Sequence, residues 1–249
     1  MTKELQLPVT VRALKRDASE EDVEALTTVL VDAFREGNSL TMSSPASIEK
    51  GLIFSDKMTS FLVGGFMELL PDLQRCQVKS ALIDGKAYVS ELEGVGIIGG
   101  AVWFGPGQDC TGTEEQRSAG LNQLMESLKE KDPDIPKWFS ETFFVQYSAL
   151  ALGALEGPDY KLASWHCQLL GVLPSYQRKG VGTALVTFVE ADAHKINGLI
   201  NFCLETQTEG TRVFYENMGY VTRGQAIMDS PKHMKETSPM WILSKEPKP

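Results

Sequence analysis

The amino-acid sequence predicts an α/β fold of the α+β kind, and three observations support this prediction. In residues 22–34, apolar side chains recur at helical spacing, which indicates an amphipathic helix. Two segments rich in β-branched and aromatic residues, KAYVSEL and GIIGGAVWF, flank a short turn and indicate a β-hairpin. A third segment, LLGVLPSYQRKGVGTALV, runs from an apolar strand through a glycine-containing loop into a helix.

Composition and charge limit the class of protein. The chain has 249 residues, of which 42% are hydrophobic, enough to form a buried core. Its formal net charge of -9 argues against general nucleic-acid binding, which depends on Lys and Arg contacts with phosphates. The first residues lack a secretory signal, and no segment reaches the roughly 20 apolar residues that span a bilayer. We therefore expect a cytoplasmic protein that binds neither nucleic acid nor membrane.

The cysteines give no sign of a disulfide framework or a metal site. They are scattered, without a C-x-x-C pair and without a histidine at metal-ligand spacing. We therefore expect reduced thiols and no bound metal. The four cysteines are Cys76, Cys110, Cys167 and Cys203.

The N-terminal elements follow from strand and helix signals. Residues 9–14 predict a first strand, and Ser19 predicts the N-cap of the next helix, with Gly37 at its C-terminal end. Residues 61–70 predict a further helical segment that ends at Pro71, because proline disrupts a helix interior.

A glycine-rich stretch in the predicted hairpin, GVGIIGG, formally matches the dinucleotide-binding pattern. That pattern requires glycines that open a helix directly after a strand, whereas these glycines are followed by a strand and a turn. We therefore predict that Gly94, Gly96 and Gly99 serve the hairpin turn and close backbone packing.

Residues 113–157 predict a helical insertion between the hairpin and the next strand. Aromatic side chains crowd its second half, and two interpretations of them are open. They pack the insertion onto the core, or some of them line a substrate pocket. These residues are Trp138, Phe139, Phe143, Phe144 and Tyr147.

The strand predicted at residues 162–172 has one polar face. Alternation places three polar side chains on one side and three largely apolar ones on the other. The polar set is Ser164, His166 and Gln168, and the opposite set is Trp165, Cys167 and Leu169.

The loop after this strand has the features of a diphosphate site. The first amides of a helix have no internal acceptors and the helix dipole is positive there, so an anion is stabilised. Gly180 and Gly182 allow a phosphate to approach the backbone, and Arg178 and Lys179 supply positive charge. The alternative is a glycine-containing turn with solvated basic residues.

Two motifs follow one another between residues 162 and 221. The segment L-x-V-x-P-x-Y-Q-R-K-G-V-G-T-A-L resembles motif A of the GNAT acetyltransferase superfamily, with its Q/R-x-x-G-x-G/A core at residues 177–182. The segment LINFCLETQTEGTRVFYENMGYV resembles motif B, which ends in F-Y-x-x-x-G-Y. This resemblance implies a single acyl-CoA N-acyltransferase domain over residues 1–249, with a GNAT-like mixed, mostly antiparallel sheet flanked by helices.

The resemblance also implies acetyl-CoA as the acyl donor and cosubstrate, with no metal. The pantetheine arm would pair like a strand with the backbone around Leu170 and Val172. Thr208 stands where the family often has an asparagine, which leaves one cofactor contact open. The residues implied to hold the pyrophosphate are Gln177, Arg178, Lys179, Gly180, Val181, Gly182 and Thr183.

The resemblance implies that Tyr215 donates a proton to the departing thiolate. Three possibilities for the base are open. His166 stands where the histone-acetylating branch has a catalytic glutamate, and its side chain titrates in the useful pH range. Glu205 is an alternative carboxylate that would act through a water, and many family members need no dedicated base. Since no nucleophile motif occurs, direct transfer is the expected mechanism.

We therefore expect an acetyl-CoA-dependent N-acetyltransferase that acts on a primary amine of a small molecule, with the insertion on the acceptor side. The alternatives are a protein or peptide acetyltransferase that modifies lysine or the N-terminus, and a non-catalytic acyl-CoA-binding module. Residues 238–244 predict a last strand that either completes the sheet or pairs with a neighbouring chain, so the sequence indicates no oligomeric state.

Overall fold

The computed structural model describes residues 7–35, 57–157 and 159–247. Within these ranges, seven strands form one sheet in the order β1-β2-β3-β4-β5-β7-β6. Neighbouring strands are antiparallel, except for β4 and β5, which are parallel. This arrangement confirms the predicted mixed, mostly antiparallel sheet. The strands are β1 (Val9–Ala13), β2 (Lys86–Leu92), β3 (Gly96–Phe104), β4 (Trp165–Val172), β5 (Phe202–Thr206), β6 (Val221–Asp229) and β7 (Thr237–Lys245).

Helices cover both faces of the sheet. Helices α1, α3 and α7 pack on one face, with α7 over strands β6 and β7. Helices α8 and α9 pack on the other face. None of the helices in the described ranges is long and apolar enough to cross a membrane. The helices are α1 (Glu20–Arg35), α2 (Lys57–Leu62), α3 (Leu70–Asp84), α4 (Glu114–Gln116), α5 (Asn122–Lys131), α6 (Ile135–Trp138), α7 (Phe144–Ala154), α8 (Val181–Asn197) and α9 (Glu209–Asn217).

Two helix boundaries test the N-terminal predictions. The Ser19 hydroxyl accepts a hydrogen bond from the amide of Asp22 at 3.1 Å, which confirms Ser19 as the cap of α1. The predicted stop at Gly37 lies outside the described residues. The prediction for Pro71 is wrong, because this proline lies in the first turn of α3. Proline is tolerated there since the first helical amides have no acceptor within the helix.

The predicted hairpin is confirmed by the antiparallel pairing of β2 with β3. Gly94 lies in its turn with φ of 76°, a backbone conformation that favours glycine. Gly96 and Gly99 belong to β3 and do not open a helix, as predicted. The glycines of this segment therefore serve the hairpin.

A β-bulge at Gln168 changes which side chains of β4 share a face. The pairing of β4 with β3 shifts there, so strict alternation fails. Gln168 donates a hydrogen bond to Gln77 of α3 at 2.8 Å, and Leu169 packs in the same α1 and α3 cluster. The prediction that Leu169 lies on the face of Cys167 is therefore wrong. After the bulge, Leu170 and Val172 face the α8 side.

The close packing of α7 on β6 depends on Gly224. A Cβ added at Gly224 would lie 2.7 Å from the Cβ of Ala154. We expect Gly224→Ala to lower the free energy of unfolding by about 1–3 kcal/mol through overpacking, measured by urea denaturation. Gly153→Ala on the same helix is the matched control, because a Cβ there meets nothing within 4 Å. An equal loss in both variants would contradict this packing.

Candidate active site

The parallel strands β4 and β5 part soon after they begin. Only three residue pairs join them, and the last pair is Cys167 with Leu204. Among the described residues, no strand pairs with residues 168–172 of β4 on the β5 side. Leu170 and Val172 lie in this unpaired stretch, which we call the β4–β5 cleft. An extended ligand can pair with a strand edge of this kind.

The loop between β4 and α8 is built from local hydrogen bonds and left-handed backbone. Gln177 donates its side-chain amide to the carbonyl oxygen of Val172 at 3.0 Å. Lys179 donates to the carbonyl oxygen of Ser175 at 2.8 Å. Gly180 then adopts φ of 83°, which turns the chain directly into α8 at Val181. The loop therefore ends at the N-terminus of a 17-residue helix.

The surface at this helix N-terminus suits an anion. The amides of Val181, Gly182 and Thr183 have no acceptors within α8 and lie at the positive end of its dipole. Arg178 and Lys179 are exposed beside them. The cradle residues predicted from the sequence are thus contiguous in space, from the end of β4 to the first turn of α8.

His166 and Glu205 lie on neighbouring strands and contact each other directly. The Nε2 atom of His166 is 2.6 Å from Oε2 of Glu205. The imidazole is 5% exposed and faces the α1, α3 and α7 side of the sheet. The sequence named these residues as alternative bases, whereas the structure places them in one hydrogen-bonded pair.

The other carboxylate oxygen of Glu205 contacts two further residues. The hydroxyl of Tyr147 on α7 donates to Oε1 of Glu205 at 2.6 Å. The ammonium of Lys161, in the loop before β4, donates to the Tyr147 hydroxyl at 2.6 Å and lies 3.6 Å from Oε1. We call these three residues, together with His166, the Lys161–His166 network. The sequence had left the role of Tyr147 open and had not singled out Lys161.

Burial and local charge set the protonation states of this network. Burial alone would raise the pKa of Glu205, but Lys161, His166 and Tyr147 together lower it well below its usual range. Burial raises the pKa of the Tyr147 phenol, and the charge of Glu205 raises it further. Burial and Lys161 lower the pKa of His166, despite the opposing effect of Glu205. At neutral pH the network thus holds a carboxylate, a phenol and a neutral imidazole.

These states determine the tautomer of His166. Because the Glu205 carboxylate can only accept, the hydrogen between the two side chains must be on Nε2 of His166. The lone pair is then on Nδ1, to which no described residue is hydrogen-bonded. A neutral imidazole with a free lone pair can accept a proton.

Tyr215 of α9 lies on the opposite face of the sheet from His166. Its hydroxyl is 3.8 Å from the sulfur of Cys167, the last β4 residue paired with β5. Burial, together with Cys167, raises the pKa of Tyr215 well above its usual value, so the phenol keeps its proton. The protonated hydroxyl therefore lies beside Cys167, at the base of the β4–β5 cleft.

Thr208, which stands at the family's usual asparagine position, has a structural role. Its hydroxyl accepts a hydrogen bond from the amide of Thr211 at 3.2 Å and caps α9. This cap fixes the start of the helix that carries Tyr215.

The cysteines are free thiols, as expected from the sequence. Burial raises the pKa of Cys76, Cys110 and Cys203 to about 12 and raises that of Cys167 too, so none is a reactive thiolate at neutral pH. Within the described part of the chain, no group of three or more side chains has the arrangement of a metal site.

Comparisons with known proteins agree with this geometry. Residues 140–222 match the family model described as Acetyltransferase (GNAT) domain. Similar folds include a Corynebacterium glutamicum protein described as histone acetyltransferase HPA2 and related acetyltransferase, with 20% identity, 97% coverage of both chains and a TM-score of 0.52. YncA, a putative acetyltransferase from Salmonella typhimurium solved with its cofactor acetyl-CoA, has 12% identity, covers 97% of this chain and 95% of its own, and gives a TM-score of 0.50. Among curated protein sequences, none matches this chain.

Proposed function

We propose that this chain is a GNAT acetyltransferase, as the match of residues 140–222 to that family model supports, and that it transfers an acetyl group directly from acetyl-CoA to a primary amine of a small molecule. One observation carries the proposal. A neutral histidine and a protonated tyrosine lie on opposite faces of the sheet, at the point where β4 and β5 part. A base and an acid are thus available on the two sides of one cleft.

The residues around the cleft fit acetyl-CoA, which supplies the activated acetyl thioester when bound. The unpaired edge of β4 near Leu170 and Val172 would hold the pantetheine arm. The amides of Gly182 and Thr183, with exposed Arg178, would hold the diphosphate. Amides of β4 that point into the cleft would stabilise the charge of a tetrahedral intermediate.

The proton transfers follow from the protonation states of the side chains. An amine reaches the site as an ammonium, and Nδ1 of His166 accepts its proton so that the nitrogen lone pair can attack. Glu205 holds the imidazole through Nε2, because both of its oxygens are already hydrogen-bonded. Tyr215 gives its proton to the departing thiolate and regains one from solvent. His166 is therefore the proposed base, and Glu205 is the group that positions it.

Two further parts of the proposal concern the acceptor side and the domain. Helix α7 reaches over the His166 side of the sheet through Tyr147, and the imidazole is almost fully covered. This cover favours a small amine over a protein segment. We propose that residues 113–157 form an insertion that shapes the acceptor side.

All the described strands belong to one sheet, which supports the proposal of a single domain.

Substitution of Gly182 tests the diphosphate cradle. A Cβ at this position would be 3.5 Å from the ring of Phe214, an ordinary contact, so a small side chain fits within the protein itself. We expect Gly182→Val to weaken acetyl-CoA binding at least about tenfold, because its methyl groups block the approach of a phosphate to the backbone. Calorimetry would measure the affinity, and Gly182→Ala, which adds a single methyl group, is the graded control. Unchanged affinity in Gly182→Val would contradict the cradle.

The proposed function is tested by acetyl-CoA turnover with a panel of acceptors. The panel contains small primary amines, lysine peptides and peptides with free N-termini, and acetylated products are identified by mass. Turnover with small amines only is the expected result. Turnover with peptides only would assign a protein acetyltransferase, and tight acetyl-CoA binding without any turnover would assign a binding module.

A further inference from the structure

The contact between Glu205 and His166 needs support from its surroundings. The terminal torsion of a glutamate side chain is broad, so one hydrogen bond leaves the carboxylate free to rotate. In this structure Oε1 of Glu205 is hydrogen-bonded to Tyr147, while Oε2 faces Nε2 of His166. With both oxygens engaged, the carboxylate has one orientation.

The direction of the hydrogen bonds is set by Lys161. An ammonium group only donates, so Lys161 directs a hydrogen to the hydroxyl oxygen of Tyr147. The single hydrogen of Tyr147 is then left for Oε1 of Glu205. The chain of donors runs from Lys161 through Tyr147 to the carboxylate, and hydrogen bonds in such a chain strengthen one another.

We propose that Tyr147 and Lys161 are positioning residues of the active site, which fix Glu205 and thereby hold His166 with its lone pair on Nδ1. Tyr147 comes from α7 and Lys161 from the loop before β4, so residues outside the two sequence motifs take part in catalysis. The effect on catalysis rests on the proposed function, whereas the arrangement of the four side chains is observed in the structure.

The charges around His166 make the role of Lys161 measurable. Outside the network itself, the ionisable groups that interact with it are Asp109, whose carboxylate favours the imidazolium, and the protonated thiols of Cys110 and Cys203. Lys161 is the positive charge that opposes the carboxylates at His166. Without Lys161, the pKa of His166 should rise, because Glu205 and Asp109 would then stabilise the imidazolium unopposed.

The first test is nitrogen NMR of the histidines, which requires no activity. The chain contains three histidines, so a His166→Gln spectrum assigns the His166 signals. In the parent protein we expect the tautomer with hydrogen on Nε2. In Lys161→Met the titration midpoint of His166 should move to higher pH, and Lys161→Arg should restore it. In Tyr147→Phe the population of this tautomer should fall.

The second test is the pH profile of acetyl transfer. We expect Tyr147→Phe to lower kcat about 10²-fold, since a base displaced by about 1 Å is far less effective. Lys161→Met should move the acidic limb of kcat/KM to higher pH. Tyr160→Phe and Lys137→Met are matched controls that remove a neighbouring tyrosine hydroxyl and an exposed lysine charge. Both controls should keep the parent profile.

The outcomes separate the two proposals. Unchanged His166 signals and midpoint in both Lys161→Met and Tyr147→Phe would overturn the positioning role, whatever the turnover. Absence of turnover in the parent protein, with the expected changes in the NMR signals, would overturn the proposed function and leave the network intact.

Discussion

Replacement of His166 by alanine is expected to lower kcat/KM for amine acetylation by about 10²–10⁴-fold, the usual contribution of a general base. The acceptor ammonium would then have no group in the site to take its proton. Binding of acetyl-CoA should stay within about twofold of the parent, because His166 lies on the sheet face opposite Tyr215 and away from the α8 loop. Steady-state kinetics and calorimetry measure the two quantities.

The controls for His166 separate chemistry from stability. His166→Gln retains a polar side chain near Glu205 and should lose activity to a similar extent while it folds. His194→Ala removes an exposed histidine at the far end of α8 and should retain parent activity. Full activity in both His166 variants would show that the enzyme needs no base at this position.

The pH dependence follows from the lowered pKa of His166. The imidazole is neutral above this lowered value, so the base is present at neutral pH and is lost as the pH falls through the folded-state pKa. The acidic limb of kcat/KM should therefore lie below the ordinary histidine range and be absent from the residual activity of His166→Ala.

Replacement of Tyr215 by phenylalanine is expected to lower kcat by about 10²-fold with little change in acetyl-CoA affinity. The variant keeps the ring that packs against Phe214 and Tyr220 and removes only the hydroxyl beside Cys167. The thiolate would then leave without a proton donor. Because the raised pKa keeps Tyr215 protonated, the parent should retain this donor well into alkaline pH.

Tyr220→Phe is the matched control for Tyr215. Tyr220 is also buried and its ring packs against Tyr215, but its hydroxyl lies near Glu190 of α8. Its loss should leave kcat unchanged. Equal activity in Tyr215→Phe and the parent would remove Tyr215 from the mechanism.

The fold could be predicted where local signals and tertiary packing agree. The hairpin of β2 and β3 and the β4–loop–α8 unit follow from periodicity and turn residues. The prediction for Pro71 is wrong because a residue type that ends a helix is also well suited to the first turn of one. The prediction for the face of Leu169 is wrong because a β-bulge leaves no trace in the alternation of side chains.

The candidate site could be predicted only in part, since its residues come together through sheet pairing. The sequence gives His166 and Glu205 as separate candidates, and the parallel register of β4 and β5 brings them into contact. Tyr147 carried one usable signal, because it is the only hydroxyl among the crowded aromatics of the insertion and a buried hydroxyl needs a partner. No sequence pattern predicted the contact of Lys161 with Tyr147, since it depends on how α7 packs on the sheet.

The most direct test of this account is amine-dependent release of CoA from acetyl-CoA by the parent protein and by His166→Ala, with acetyl-CoA affinity measured for both. We expect turnover in the parent, a loss of about 10²-fold or more in the variant, and equal affinities. Equal turnover in the two proteins would contradict the assignment of His166 as the base, and absence of acetyl-CoA binding in the parent would contradict the cleft and the cradle together.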